Sequence, residues 1–219
     1  MNKKLVGGCL GLLGLIVVIA VIGVIYYTTT YNKLIRLSQG VDAQWAQVQN
    51  VYQRRADLIP NLVQTVSGVA NFEKSTLTEV TDARASVGRV QINASSAPTD
   101  AQQLAAFDKA QGDISRALSR LMVVSENYPQ LRATANFSEL QAQLEGTENR
   151  ISVERGKFNE TVKGYNGTVL SFPANLLFSS KFPAKPYFAA QEGAATAPKV
   201  KFDFNKTPAP SVQPATPVR

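Results

Sequence analysis

The sequence predicts an all-α protein in which an N-terminal transmembrane helix precedes an elongated antiparallel helical bundle and a disordered C-terminal tail. Residues 5–27 form an apolar run of 23 residues without a charged side chain. Within residues 34–169, apolar side chains recur at alternating steps of three and four, which is typical of helices packed along one seam. The end of the chain is rich in Ala, Pro and Thr and lacks this repeat. We therefore expect an anchor at 1–27, a bundle domain at 28–188 with four up-and-down helices, and a tail at 189–219.

The apolar run is long enough to cross a bilayer as one helix, because a helix rises about 1.5 Å per residue and the hydrocarbon core is about 30 Å thick. A cleaved signal peptide is the alternative. Its apolar region usually spans only about 7–15 residues and ends at a small-x-small cleavage site, so the pattern favours an uncleaved anchor. The orientation stays open, because Lys3 and Lys4 on one side balance Lys33 and Arg36 on the other.

Three glycines, Gly7, Gly11 and Gly14, share one face of the anchor. Small residues at this spacing allow two membrane helices to approach closely, so the chain is a candidate for self-association through this face. The alternative is that they reflect the general abundance of glycine in membrane helices.

The first bundle helix carries the longest seam. Arg55 occupies a seam position, and Pro60 removes the backbone hydrogen bond to the carbonyl of Ala56, so a bend is expected there. A turn near residues 68–71, with Asn71 as N-cap, would separate a second helix that continues to about residue 92; an unbroken helix is the alternative. The apolar seam positions of the first helix are Leu34, Leu37, Val41, Trp45, Val48, Tyr52, Ile59, Leu62, Val66 and Val69.

The third helix follows a loop at residues 95–99. Thr99 and Gln102 have the spacing of a capping box that starts it, and Tyr128 and Pro129 end it. Its seam consists of Leu104, Phe107, Gln111, Ile114, Leu118 and Leu121.

The last long helix starts at one of two capping boxes, Asn136 with Glu139 or Ser138 with Gln141, and stops at Phe172 before a proline. Its seam consists of Phe137, Leu140, Leu144, Thr147, Ile151, Glu154, Phe158, Val162, Tyr165 and Val169.

The stretch RRADLIPN at residues 54–61 places charged and polar groups inside the apolar frame of the first helix. A buried arginine is costly unless a carboxylate meets it. The stretch is therefore either a structural polar layer, with Glu148 or Glu154 as counter-ion, or a site that holds an acidic group of a partner. The tetrad TENR at residues 147–150 is expected to supply the other half of the layer. The residues considered for these two roles are Arg54, Arg55, Asp57, Asn61, Glu148, Asn149, Arg150 and Glu154.

The segment at residues 172–188 combines rings, prolines and two lysines, and has no helical period. Four up-and-down helices return the chain to the membrane, so we expect this return segment at the bilayer surface. The alternative is that its rings pack across the base of the bundle. The residues concerned are Phe172, Phe178, Lys181, Phe182, Lys185, Tyr187 and Phe188.

Composition argues against most catalytic sites. The chain has no histidine and one cysteine, Cys9, which excludes Ser-His-Asp triads, zinc sites of Cys and His, and intrachain disulfides. Glu145 and Glu148 lie three apart on one helix face, but solvent and Arg150 explain them. No phosphate-binding glycine motif is present. We expect no enzyme, no catalytic residue, no cofactor and no metal.

The net charge of +7 does not predict nucleic-acid binding. Residues 28–181 hold 16 basic and 14 acidic side chains, so most of the excess lies at the two ends of the chain. Binding to phosphates requires a basic cluster on the fold, whereas basic ends suit anionic lipid headgroups.

Two blocks, residues 31–73 and 126–173, resemble the bacterial LemA family of single-pass membrane proteins. The segments RRADLIPNLV and LEGTENRI carry the resemblance, in the order and spacing of the family. Phe72 stands where the family often has a histidine, which disfavours metal binding there.

The resemblance implies an antiparallel bundle behind a membrane helix, located at the bacterial inner membrane, with no established enzymatic activity. It also implies a scaffold or interaction module of the cell envelope. The expected partners are the lipid bilayer and other membrane proteins, including a membrane protease or a second copy of the chain. A membrane-shaping protein, or a carboxylate-dependent enzyme, is the alternative.

Overall fold

A computed structural model describes residues 3–69, 72–90 and 96–189, with side-chain surroundings from residue 11 onward. These residues form helices and connecting loops without a strand, so the predicted all-α fold is confirmed. The tail predicted at 189–219 lies outside the described residues except for Ala189. The helices are α1 (Lys3–Ser67), α2 (Lys74–Arg89), α3 (Ala101–Ser125), α4 (Pro129–Arg132), α5 (Ala135–Val169) and α6 (Ala174–Phe178).

Helix α1 joins the apolar anchor to the bundle without interruption over 65 residues. From Leu12 to Ile25 its large apolar side chains are 52–63% exposed, whereas its later residues carry the core seam. Among the described residues, this is the one helix long and apolar enough to cross a membrane. The apolar and the core-forming parts therefore share one helix axis.

The predicted break after the first bundle helix is present. Helix α1 ends at Ser67 and α2 begins at Lys74, so the alternative of one unbroken helix is wrong. Asn71, the expected N-cap, lies outside the described residues, and Glu73 holds the N-cap position of α2.

Pro60 lies inside α1, which continues through it. Because proline has no N–H, the carbonyl of Ala56 loses its helical partner. The Nε of Arg84 in α2 donates to this carbonyl at 3.1 Å. The bend expected at Pro60 stays a prediction.

The long helices alternate in direction, as predicted. Asp42, in the half of α1 nearer the anchor, accepts from the backbone of Ala97 just before α3 and from Lys185 beyond α5. Val66, near the other end of α1, shares a core cluster with Phe137 at the start of α5. Helix α5 packs mainly on α1, and α2 packs mainly on α3.

Two apolar clusters form the core. One surrounds Trp45 near the anchor and the other surrounds Leu121 at the far end, and Arg55 lies between them along α1. Every predicted seam position of α1, α3 and α5 is buried or half-buried, including the polar Gln111 and Thr147.

The helix ends differ from the predicted capping boxes. Asp100, and not Thr99, caps α3 by accepting from the backbone N–H of Gln102 at 2.8 Å. Thr134 caps α5, one residue before its first turn, so both boxes predicted for that helix are wrong. The short helix α4 between α3 and α5 was not predicted.

Candidate functional site

Arg55 is the centre of a buried polar layer between the two apolar clusters. Arg55 is only 1% exposed to solvent. One terminal nitrogen, Nη1, donates to Glu148 Oε2 at 2.7 Å and to Ser115 Oγ at 2.8 Å. The other, Nη2, donates to the side-chain and backbone oxygens of Gln111. The layer therefore joins α1, α3 and α5 through one guanidinium group.

Two buried atoms, Arg55 Nε and the hydroxyl oxygen of Tyr52, have no partner with good hydrogen-bond geometry among the described residues. The Tyr52 hydroxyl makes only a loose contact with the Arg155 side chain. The Arg55 guanidinium carbon lies 5.2 Å from the centre of the Tyr52 ring. Burial raises the pKa of Tyr52 above its ordinary value, although the guanidinium groups of Arg155 and Arg55 act in the opposite direction. The phenol is therefore held in its neutral form.

The other candidates from the RRADLIPN stretch do not join this layer. Arg54, Asp57 and Asn61 are exposed on α1. Asp57 accepts from Gln53, one turn earlier, at 2.7 Å. Asn61 lines a shallow groove between α1 and α5 that also includes Glu139. These residues belong to the outer surface of the bundle.

The candidates on α5 are separated in the same way. Glu148 is the counter-ion of Arg55, while Asn149 and Arg150 are exposed. Glu154 is not a counter-ion of Arg55.

Glu154 instead accepts from Lys157 Nζ at 2.8 Å and from Gln44 Nε2 at 2.6 Å. The Lys157 ammonium, with the Gln44 amide, lowers the pKa of the Glu154 carboxyl.

A second ion pair, which the sequence analysis missed, lies closer to the anchor. Arg155 of α5 meets Asp108 of α3 with both terminal nitrogens, at 2.7 and 3.0 Å. The Arg155 guanidinium carbon also lies 4.5 Å from the centre of the Phe188 ring. This pair therefore links α3, α5 and the return segment.

A third pair, also missed, holds the return segment against α1. Lys185 is 7% exposed, and its Nζ lies 2.8 Å from Asp42 Oδ1. The same carboxylate oxygen accepts from the backbone of Ala97 at 2.9 Å. Asp42 therefore ties α1, the loop before α3 and the return segment together.

Two asparagines of α5 bind the backbone of the return segment. Asn166 donates to the carbonyl and accepts from the N–H of Lys185, at 2.8 and 2.9 Å. Asn159 makes the same pair of bonds with Phe188, at 3.0 and 2.9 Å. An asparagine side chain presents an N–H donor and a C=O acceptor side by side, as the backbone of a neighbouring strand does, so each of these two takes the place of a strand partner.

The rings of the return segment are divided between two environments. Phe178, Phe182 and Phe188 are buried in the cluster around Trp45, so these rings pack inside the bundle and not on the bilayer. Phe172 and Tyr187 are exposed. The expectation that the whole segment lies at the membrane surface is therefore wrong for its buried rings.

No local sequence signal marks the two missed pairs. Asp42 and Asp108 lie between seam positions, where charged residues usually face solvent. Lys185 and Arg155 meet them across 143 and 47 residues of sequence. A long-range pairing of this kind depends on the return path of the chain, which no helical period specifies.

In all three pairs, a carboxylate that faces the bundle holds an arginine or lysine of a distant segment. Two open grooves on the described surface are shallow; one lies along α2 and α3, and the other is the groove that Asn61 lines. The arrangement favours holding helices together, because the charges that it contains are already paired.

Comparison with known proteins places this fold in a family. The model of the LemA family matches residues 44–202, which include the polar layer and also Asn159 and Asn166 of α5. The chain belongs to the LemA family.

Curated relatives of this LemA-family chain are similar at low identity. Magnetosome proteins MamQ 1 and MamQ 2 of Paramagnetospirillum magneticum are each 26% identical over 182 residues, covering 76% of this chain and 67% of the relative. Magnetosome protein MamQ of Magnetospirillum gryphiswaldense is 25% identical, covering 67% and 60%. Protein LemA of Metamycoplasma hominis is 22% identical, covering 70% and 66%. The matched part thus spans 60–67% of the length of these relatives.

Proposed function

We propose that the protein is a single-pass protein of the bacterial inner membrane whose bundle is a scaffold or interaction module for other membrane proteins. It has no catalytic activity of its own in this proposal and needs no cofactor. The observation that carries the proposal is the continuity of α1, in which exposed apolar side chains give way to core seam residues within one helix. A bundle built on its own anchor has a fixed position relative to the bilayer, which suits the organisation of neighbouring proteins.

The pairing of the inner charges supports a scaffold over an enzyme. General acid–base catalysis needs an acid or base that is free to exchange its proton with a substrate. Asp42, Asp108 and Glu148 instead hold cations of other segments. Three relatives are named for the magnetosome and one for the LemA family, which favours a binding module used in several settings over one fixed reaction.

Photo-cross-linking in the native membrane tests this proposal. A photoreactive amino acid replaces Asp57 or Asn61 on α1, and Val123 near the end of α3 serves as a second exposed surface. A scaffold gives discrete adducts with one or a few membrane proteins, and the adducts depend on position. If no position forms an adduct with a membrane protein, the scaffold proposal is wrong.

An enzyme gives a different result. A reaction that is lost in Glu145→Gln with an unchanged melting temperature would favour catalysis, since Glu145 is exposed and accepts a hydrogen bond from Gln141 of its own helix.

Membrane shaping is a second candidate, favoured by exposed apolar side chains at the anchor end of the bundle, among them Phe172 and Leu176. Purified full-length protein added to liposomes during reconstitution is then expected to deform them. Vesicles that keep their size and shape at high protein density contradict this role. That result leaves the scaffold proposal unchanged.

A further inference from the structure

We infer that the bundle makes a second contact with the bilayer, through an apolar tip formed by Leu170, Phe172, Leu176 and Leu177. This inference rests on the proposed function, because it requires the anchor to span a membrane. The anchor and the tip together would attach the bundle at two places and fix its rotation about the anchor axis.

The clustering of exposed apolar side chains is the first argument. Outside the anchor, seven large apolar or aromatic side chains of the described residues are exposed, and four of them lie within residues 170–177. Phe172 is 79% exposed and Leu176 is 74% exposed. Single exposed apolar residues are ordinary on soluble proteins, but a contiguous group usually marks a surface that another phase or molecule covers.

The position of the tip is the second argument. Phe178, the residue after Leu177, lies with its ring centre 5.0 Å from that of Tyr27. Tyr27 is the last residue of the apolar run, at the depth where the anchor leaves the hydrocarbon core. Four residues further on, Phe182 contacts Tyr31, one helical turn farther from the anchor, at 5.6 Å. The return segment therefore moves away from the anchor after Phe178, and the tip lies at its anchor end.

The two faces of α6 are the third argument. Ala174 and Phe178, four residues apart, are buried against the bundle, whereas Leu176 and Leu177 point away from it and are exposed. A turn that only capped the bundle would place polar residues on its outer face. An outer face that carries two leucines beside one asparagine, Asn175, suits a helical turn that lies on a bilayer.

The polar surroundings fit lipid headgroups. Lys181 is exposed, and its Nζ lies 2.7 Å from the hydroxyl of Tyr31 and 4.7 Å from the centre of that ring. The hydrogen bond with Tyr31 raises the pKa of Lys181, so the ammonium stays charged. A cation beside tyrosines, above an apolar group, is the usual order of side chains at a membrane interface.

The occupant is the lipid of the same membrane and not a second protein. The anchor already places the tip at the membrane interface, so the tip can contact lipid without the help of another protein. A second copy of the chain would need a complementary apolar surface at the same depth of the membrane interface.

Site-directed fluorescence in vesicles tests the inference. Cys9, the single cysteine, is replaced by alanine, and an environment-sensitive dye is attached to a new cysteine at Phe172, Leu176, Val18 or Val123. Full-length protein is reconstituted in vesicles of phosphatidylethanolamine and phosphatidylglycerol with and without a nitroxide-labelled lipid. Val18 reports the anchor, and Val123, which is 64% exposed, is the matched exposed residue at the far end of the bundle.

We expect strong quenching by the nitroxide lipid at Val18, Phe172 and Leu176, several-fold greater than at Val123. If Phe172 and Leu176 are quenched no more than Val123 while Val18 is quenched, the tip inference is wrong and the anchor stands. Blue-shifted emission without lipid quenching at Phe172 means that protein covers the tip, which also overturns the inference. An unquenched Val18 overturns the proposed membrane anchor instead.

A charged tip provides a second measurement. In Leu176→Asp/Leu177→Asp, the melting temperature in detergent is expected to stay unchanged, because both side chains are exposed. Quenching at Phe172 is expected to fall towards that at Val123, since placing a charged aspartate in lipid costs free energy. Quenching that stays as high as in the unsubstituted protein contradicts contact through this face.

Discussion

Arg55 shows how a charge is kept inside an apolar bundle. In place of water, its guanidinium donates hydrogen bonds to a carboxylate, a hydroxyl and two amide oxygens. Arg55→Ala leaves the Glu148 carboxylate without its cation, and breaking a buried pair costs about 3–5 kcal/mol. Because the Glu148 side chain is 43% exposed, water can reach it, and we expect a loss near the lower end, about 3 kcal/mol. Chemical denaturation of the bundle measures it.

The neighbouring Arg54 is the matched control, because it is exposed on the same turn. Arg54→Ala is expected to change the free energy of unfolding by less than about 0.5 kcal/mol. If Arg55→Ala also stays within about 1 kcal/mol of wild type, the layer is not structural. The uncharged double variant Arg55→Met/Glu148→Gln is expected to cost less than Arg55→Ala, since it leaves no unpaired charge.

Two buried tyrosines differ in how well the hydroxyl is hydrogen-bonded. Tyr165 donates to the carbonyl of Pro183 at 3.0 Å, whereas the Tyr52 hydroxyl has no partner with good hydrogen-bond geometry and only a loose contact with the Arg155 side chain. Tyr165→Phe is therefore expected to lower the free energy of unfolding by about 1 kcal/mol, and Tyr52→Phe to change it by less than about 0.5 kcal/mol or to raise it. Equal losses in urea denaturation would show that the Tyr52 hydroxyl is bonded in solution.

The raised pKa of Tyr52 predicts an alkaline loss of stability. Burial favours the neutral phenol in the folded bundle, so above the ordinary pKa of 10.0 the unfolded chain releases a proton that the bundle retains. Unfolding then becomes more favourable as pH rises, while below that pKa the group has no effect. The free energy of unfolding should fall above about pH 10, and less steeply in Tyr52→Phe. Parallel curves for the two proteins would contradict the shift.

At the scale of single elements, the sequence predicts what is local and misses what is distant. The apolar period of α1, α3 and α5 is set by burial on one helix face, so the predicted seams coincide with the buried positions. Helix ends depend on which of several nearby polar residues reaches a free N–H, and the caps of α3 and α5 accordingly lie at Asp100 and Thr134. The pairing of Asp42 with Lys185 depends on the return path and has no local pattern.

Helix α1 keeps a proline because another helix supplies the missing donor. Arg84 bonds the Ala56 carbonyl that Pro60 leaves without a partner. Arg84→Ala is expected to cost about 0.5–1 kcal/mol, since this bond is exposed. In a Pro60→Ala background the helix regains its own bond, so the cost of Arg84→Ala should fall nearly to zero. A double-mutant cycle by thermal denaturation measures the coupling, and additive effects of the two substitutions would contradict the role of Arg84.

At the scale of the whole molecule, the return segment converts four antiparallel helices into a closed unit. It crosses from the Tyr27 end to Trp45 through Phe178, Phe182 and Phe188. Asp42, Asn159 and Asn166 hold it in place. Composition suggested the bilayer for all of these rings. Most of these rings are instead buried inside the bundle. The rings and leucines of the segment that stay exposed are concentrated at the anchor end.

The division between anchor and bundle predicts that the bundle folds without residues 1–27. Every buried apolar core residue of the described chain lies between Leu34 and Phe188, so removal of the anchor takes away no core side chain. The contacts that are lost are those of Tyr27 with Phe178 and Tyr31, and the hydrogen bonds of the Thr28 and Thr29 hydroxyls to the anchor backbone. We expect a helical protein with a cooperative transition, whose melting temperature shifts by less than about 2–4 °C, the effect of about 1 kcal/mol in a domain of this size. Circular dichroism of the fragment and of the full chain in detergent makes the comparison. A fragment without a cooperative transition would mean that the anchor helps to form the bundle and does not merely hold it at the membrane.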